Sequence, residues 1–416
     1  MTVDKNVPDI RFKGFSGEWG RSPLGSLCLI GDIDHRMPES KITGIPYLMT
    51  GDFYGINGLD LNNAKLISIE DYEQLSKKIK PEFGDILFAR YASVGAVRYV
   101  ETDIKFLISY SCAILKTNNT TYGKYLFYFF QTEKTQGQFE LGINTGSQRN
   151  IGIDSLKSLL VTLPKPVEQT QVGNYFQKLD SLINQQQQKH EKLSNLKRAM
   201  LEKMFPKQGE TIPEIRFKGF IGEWIESPLN KIAMDITDGN WIEAEHIFDS
   251  GEYRIIQTGN IGVGQYLDRP KHAKYFQQSN FDTVRGNEIF PGDILISRLA
   301  DPAGRAVILP DTGYRMVTAV DVAIVRPEPC FNSYFLMILL NRKEALKSVG
   351  EWVSGTSHKR ISHANLVKIR FVVPCVKEQS LIGNYFQKLD TLIEQHQQQI
   401  TKLTNIKQAC LNKMFV

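Results

Sequence analysis

The chain has 416 residues, of which 42% are hydrophobic and 23% charged, with a formal net charge of +5. That length implies two or three domains, and the composition is that of a soluble globular protein. The longest apolar run, Tyr334 to Leu340, is far too short to span a bilayer, and the opening Met-Thr-Val-Asp-Lys lacks the apolar core of a secretion signal, so no membrane partner and a cytoplasmic location are expected. Fifty basic against 45 acidic residues permit a nucleic-acid partner through local patches without requiring one. The five cysteines are scattered and form no CxxC pair, which argues for reduced thiols and against zinc.

The first landmark is Pro8-Asp9-Ile10-Arg11-Phe12-Lys13-Gly14-Phe15, which returns as Pro213-Glu214-Ile215-Arg216-Phe217-Lys218-Gly219-Phe220. A block of about 150 residues follows each copy, a natural domain size. The blocks diverge but keep landmarks. Thr50-Gly51-Asp52 answers Thr258-Gly259-Asn260, and Gly84-Asp85-Ile86-Leu87 answers Gly292-Asp293-Ile294-Leu295. Each Gly-Asp turn feeds a short apolar strand that ends on an arginine, Arg90 or Arg298. A second strand follows, Ala96 to Val100 and Arg305 to Leu309. Next, the spacing predicts one amphipathic helix per block, over Lys124 to Phe139 and Tyr334 to Val349. A polar loop comes after it, 144–150 and 354–360, and a last strand closes each block at Pro164 and Pro374.

Glu168-Gln169 and Glu378-Gln379 then open two long helices. Gly173-Asn174-Tyr175-Phe176-Gln177-Lys178-Leu179-Asp180 recurs letter for letter from Gly383 to Asp390, and the displacement of 210 positions holds without a gap through Met204 and Met414. One added residue would rotate every later side chain by about 100°, so the two helices have fixed length and register. Each spans roughly 55 Å at 1.5 Å per residue. Leu179, Leu182, Leu193, Leu196, Met200 and Met204 mark a seam on the first, and Leu389, Leu392, His396, Ile400, Leu403, Ile406, Cys410 and Met414 mark one on the second. Such stripes need a partner, and the nearest is the other helix. His190 and His396 are expected to pack there as neutral imidazoles. The recurring Gln177, Lys178 and Asp180, with Gln387, Lys388 and Asp390, suit a surface shown twice to two copies of one partner.

Two parts kept alike and two made different suit a shared scaffold bearing two recognition heads. In their paired order these motifs resemble the DNA specificity subunits of type I restriction-modification systems, and the resemblance covers nearly the whole chain, twice over. It implies an α+β architecture with an internal pseudo-twofold repeat. Two target-recognition domains, residues 1–166 and 207–376, are separated by spacer helices, 167–206 and 377–416, that form an antiparallel coiled coil. The partners it implies are double-stranded DNA with a split site, two modification subunits that methylate adenine with S-adenosylmethionine, and restriction subunits that use ATP and Mg. No cofactor is expected on this chain itself.

If the blocks read DNA, cations and amides on loops must reach phosphates and base edges. The candidates are Arg90 and Arg98, then Asn144, Ser147, Gln148, Arg149 and Asn150 in the first block. In the second they are Arg298 and Arg305, then Ser357, His358, Lys359 and Arg360. The competing reading of Arg90, Arg98, Arg298 and Arg305 is an ordinary surface arginine paired with Asp85, Asp103, Asp293 or Asp301. No P-loop and no Asn/Asp-Pro-Pro-Tyr/Phe run occurs, which argues against ATP hydrolysis and adenine methylation by this chain. Asp85 with Asp103 and Lys105 faintly matches a metal-nuclease set, but the second block has no equivalent lysine. A catalytic methyltransferase or nuclease with unrecognised motifs, and a coiled-coil adaptor that binds only proteins, are the alternatives.

Overall fold

The computed structural model describes every residue except 1–5, 145–148, 300–301 and 356–358. The chain divides into two compact units, residues 1–189 with 396–416, and residues 190–395. Each unit therefore takes the opening of one long helix and the closing part of the other.

In the first unit an antiparallel sheet has the order Cys28–Gly31, Cys112–Thr117, Ile86–Ala89, Val97–Tyr99. The strand Ile86–Ala89 is buried throughout, and its side chains alternate between two cores. Ile86 and Phe88 face the helices, while Leu87 faces a second sheet, Lys65–Ile67, Ile45–Leu48 and Leu107–Ile108. The second unit repeats this plan with Ile236–Asp238, Val322–Val325, Ile294–Ser297 and Ala306–Ile308. Its second sheet is larger, with four strands: Lys274–Phe276, Tyr253–Ile256, Arg315–Thr318 and Glu288–Ile289.

The Gly-Asp turns are structural. Gly84 and Gly292 sit at φ +92° and +99°, where a side chain would be strained. Asp85 accepts from the Glu82 N–H at 2.7 Å and Asp293 from the Phe290 N–H at 2.8 Å. Lys116 neutralises the first, at 2.6 Å, and Arg326 the second. Burial pushes both carboxyls up. Neither aspartate pairs with the strand-end arginine, as the competing reading supposed.

The single helix expected in each block is two. Gly123–Phe129 and Glu133–Leu141 are separate, and so are Ser333–Leu340 and Lys343–Glu351. Thr132 starts the second of the first pair, accepting from the Thr135 N–H. Gly123–Phe129 is not amphipathic either, since Tyr125 through Phe129 are all buried between the sheet and the long helices.

Those helices run Pro166–Lys203 and Val376–Met414. In the first unit Tyr175 meets Cys410, Asp180 meets Lys407 and Gln186 meets His396, so rising numbers on one helix face falling numbers on the other. In the second unit Phe205 packs on Phe386 and Lys197 pairs with Asp390, the same antiparallel sense. The expected seam needs correction. Leu182, Leu196 and Ile406 are exposed, whereas Leu179, Met204, Leu389 and Met414 of the expected seam are buried, joined by Val172, Phe176, Ile183, Ile382, Phe386 and Leu411.

The opening motifs dock at the helix ends. Arg11 grips Glu168 through two hydrogen bonds of 2.6 and 2.8 Å, and Arg216 grips Glu378 at 2.8 and 2.6 Å. The Ile10 N–H donates to the Lys413 carbonyl and the Ile215 N–H to that of Lys203, meeting carbonyls that a helix end leaves unpaired. Gln169 and Gln379 are buried and bond to the block's own backbone, at Tyr122, Thr120 and Pro164 or at Asn332 and Pro374. Among the described residues no helix is long and apolar enough to cross a membrane.

Candidate nucleic-acid interface

Arg90 and Arg298 do not reach outward. Both are buried, at 6% and 4% exposure. Arg90 pairs with Asp32 and donates from Nε to the Ile151 carbonyl at 3.1 Å. Arg298 pairs with Asp238 at 3.3 Å and bonds the Val320 carbonyl. The two ion pairs are equivalent, each joining the end of the central strand to an aspartate at the end of the sheet's edge strand. Direct DNA contact by either guanidinium is therefore replaced by a framework role. An isolated buried charge costs several kcal/mol, roughly, and the aspartate offsets it.

What the framework holds is the polar loop. The Ile151 N–H donates to the Arg90 carbonyl at 3.1 Å, and the Ile361 N–H to the Arg298 carbonyl at 3.0 Å. Tyr91 bridges to Asn150, and Leu299 to Arg360. The strand-end arginines and the polar loops, read from the sequence as separate candidates, thus form one site in each block. Asn144 is exposed and donates to Asn150 Oδ1 at 3.3 Å, and Arg149 is exposed against Glu140. In the second block Lys359 is exposed and Arg360, half-exposed, pairs with Asp321 at 3.0 Å. Ser147, Gln148, Ser357 and His358 lie outside the described residues. Beside the first loop Ala92 is exposed with φ +55°, a left-handed conformation that costs a non-glycine residue roughly 1 kcal/mol.

Arg98 and Arg305 are placed differently again. Arg98 donates to the carbonyls of Gly58 at 3.1 Å, Val97 at 2.7 Å and Gly55 at 3.2 Å, and lies 4.9 Å over the Phe53 ring. It fastens the loop after Thr50-Gly51-Asp52 and has little left for a ligand. Arg305 donates to the Thr258 carbonyl at 3.2 Å, but its buried Nε–H has no partner among the described residues.

The residues proposed for partner docking also divide. Asp180 is buried, paired with Lys407 at 2.7 Å and accepting from the Tyr128 hydroxyl at 2.8 Å. Asp390 repeats this with Lys197 at 2.5 Å and the Tyr334 hydroxyl at 2.6 Å. Both aspartates fasten helix to helix and helix to block; Asp180 is buried there, while Asp390 keeps 32% of its side chain exposed. Gln177 is half-buried and bonds Glu101 at 2.9 Å. Lys178, Gln387 and Lys388 are exposed.

The family model described as the type I restriction modification DNA specificity domain matches residues 16–195 and again 222–405. The chain belongs to that family. Its function is that of a DNA specificity subunit. A putative type I restriction enzyme specificity subunit of Methanocaldococcus jannaschii is 23% identical over 86% of this chain and 84% of that protein. A second specificity subunit from the same organism is 22% identical over 62% of each chain. The crystal structure of a type I restriction-modification S subunit from M. genitalium has the same fold, with a TM-score of 0.61 at 15% identity over 99% of both chains.

Within this specificity subunit, sequence reasoning missed Asp32 and Asp238, which sit in unlike letters, Gly31-Asp32-Ile33 and Thr237-Asp238-Gly239. It also missed Arg269 beside Arg305. A further outward face is kept in both long helices. Gln187, Gln188, Lys192, Asn195 and Ala199 recur as Gln397, Gln398, Lys402, Asn405 and Ala409, with Leu196 answered by Ile406. Leu196 and Ile406 are 39% and 37% exposed. Their helical spacing is visible in the sequence, where it reads as seam. Among the described residues no group of histidine, cysteine or acidic side chains could hold a metal, and burial pushes the Cys28 and Cys112 thiols up to about 12.

Proposed function

We propose that the chain is the non-catalytic DNA-reading and assembly subunit of a cytoplasmic type I restriction-modification complex. Block 8–165 reads one half of a split duplex site and block 213–375 the other. The spacer helices, 167–206 and 377–416, fix the gap between the halves and dock two modification subunits, to which restriction subunits join. S-adenosylmethionine, ATP and Mg serve those partners, and this chain binds none of them. Asn144, Arg149, Asn150, Lys359 and Arg360 are the described readers of base edges, with Ser147, Gln148, Ser357 and His358 beside them in sequence.

One observation carries this reading. The same buried arginine–aspartate pair anchors two loops whose letters differ, Asn144–Asn150 and Ser354–Arg360. A fixed mount with an exchanged tip suits base readout, whereas holding phosphates needs no sequence difference. The repeated exposed faces around Lys178 and Lys388, and around Leu196 and Ile406, suit two copies of one partner.

Mapping methylated adenines in cells that carry this chain and its modification partner tests the reading. A split motif is expected. Deleting one heptad, Leu182 to Gln188, should change the gap or abolish methylation while both half-sites keep their sequence. A contiguous motif, or half-sites that change when only the helix is shortened, would refute it.

A further inference from the structure

The second block carries a cationic feature outside its polar loop, at the turn Thr258–Asn260. Asn260 is buried, accepts from the Gln257 N–H at 3.0 Å and donates to the Leu267 carbonyl at 2.8 Å. The segment between folds back on itself, with Ile261 bridging to Tyr266, and so returns Arg269 to the turn. There the Arg269 Nη1 lies 3.2 Å from where a Cβ on Gly259 would stand. Arg305 reaches the neighbouring residue, donating to the Thr258 carbonyl at 3.2 Å. Two guanidinium groups thus meet consecutive residues of one turn.

Nothing in the described structure balances them. Neither arginine has a carboxylate partner among the described residues. The adjacent Asp268 is taken by Arg254. The Arg305 Nε–H is buried with no acceptor among the described residues. Burial first, and then the charge of Arg269, lower the Arg305 pKa. Arg269 is exposed, so water screens part of the repulsion; an anion between the two would relieve the rest, and a guanidinium fork matches the oxygens of a phosphate. The first block has no counterpart. Gly51 has open space above it, and Ala96 stands where Arg305 stands in the second block.

We propose that Arg269 and Arg305 clamp one backbone phosphate of the DNA half-site bound by the second block. The proposal rests on the DNA-reading role given above and adds a positioning contact present in one block only. Guanine recognition in the major groove by the same guanidinium groups is the competing outcome, and the test separates the two.

The full chain, assembled with its modification partner, is titrated with a duplex carrying its mapped motif and with a scrambled duplex, at salt from about 50 to 200 mM. Arg269→Ala should weaken both duplexes about tenfold at the low-salt end, the loss of one charge-assisted contact. It should also reduce the slope of log K against log salt by about one. Ethylation interference should lose one phosphate, in one half-site only, and the methylated motif should stay the same. Arg269→Lys should restore most of the slope. Arg269→Gln keeps a long polar side chain without the charge, and should lose the same slope and the same interfering phosphate. Unchanged affinity and slope in Arg269→Ala would overturn the clamp, as would a loss confined to one base pair. If Arg269→Ala unfolds, a wild-type slope in Arg269→Gln with the same phosphate still interfering would overturn it too. Wild-type binding without any salt dependence would instead sink the DNA-reading role itself.

Discussion

In the first block Arg98 is wrapped by the backbone carbonyls of Gly55, Val97 and Gly58, whereas in the second Arg305 stands beside Arg269 with one N–H unmet. A few residues away, the same two blocks place Arg90 against Asp32 and Arg298 against Asp238 in one shared arrangement. Difference and sameness lie that close together. The arginines that look alike in sequence are framework, and those that sit differently are where the blocks face different surroundings. Within the blocks, the repeated arginine–aspartate pair therefore marks what holds the fold, while the loops mounted on it differ in their letters.

The sharpest way to break that contrast is to remove a framework arginine. Arg90→Ala leaves Asp32 without its buried partner and should cost about 3–5 kcal/mol, read by calorimetry of the full chain. His35 and Lys78 also touch Asp32 but are largely exposed and cannot replace the buried contact. Arg298→Ala should cost less, roughly 2 kcal/mol, because Asp238 keeps 26% exposure and can rehydrate. Either variant melting like the wild type while misreading one base pair would return that arginine to the DNA surface.

A second comparison concerns the glycine shared by the two long helices. A Cβ on Gly383 would stand 2.0 Å from Asn332 Oδ1 and 3.0 Å from the Phe335 nitrogen. On Gly173 it would meet Tyr122 ring carbons at 2.8 and 3.0 Å and the Tyr125 nitrogen at 3.0 Å. Gly383→Ala should therefore destabilise by about 2–3 kcal/mol and Gly173→Ala by about 1–2 kcal/mol, since the Tyr122 ring can shift. Equal melting points for the two would show that the helix–block contact is looser than drawn. The smallest effect is expected at Ala92, where glycine relieves the left-handed strain. Ala92→Gly should raise stability by up to about 1 kcal/mol, and a loss would mean that its neighbours hold the loop in place.

Much of this was legible in the letters. The gap-free displacement from Gly173 to Met204 announced two matched helices, and the order of landmarks announced two blocks. The reasons behind the landmarks were not legible. Asp180 reads as an unexplained surface charge until Lys407 and Tyr128 are seen closing on it from distant segments. Arg90 reads as a strand-end cation because Asp32, its partner, is 58 residues away and its counterpart Asp238 sits among different neighbours. Leu182, Leu196 and Ile406 keep helical spacing, and spacing alone does not say which stripe faces inward. The split of Lys124 to Phe139 into two helices turns on Thr132, a capping residue inside an otherwise continuous pattern.

Each unit is finished by the far end of the other unit's long helix, and that has a consequence for synthesis. Phe415 packs against Tyr125, Phe129 and Phe176, so the core around the first block stays open on the ribosome until residues more than two hundred codons later have emerged. The second block meets its own helix ends much sooner. Messages truncated shortly before Leu411 should thus harm most the block encoded earliest, and the nascent chain must shelter that exposed aromatic surface in the meantime.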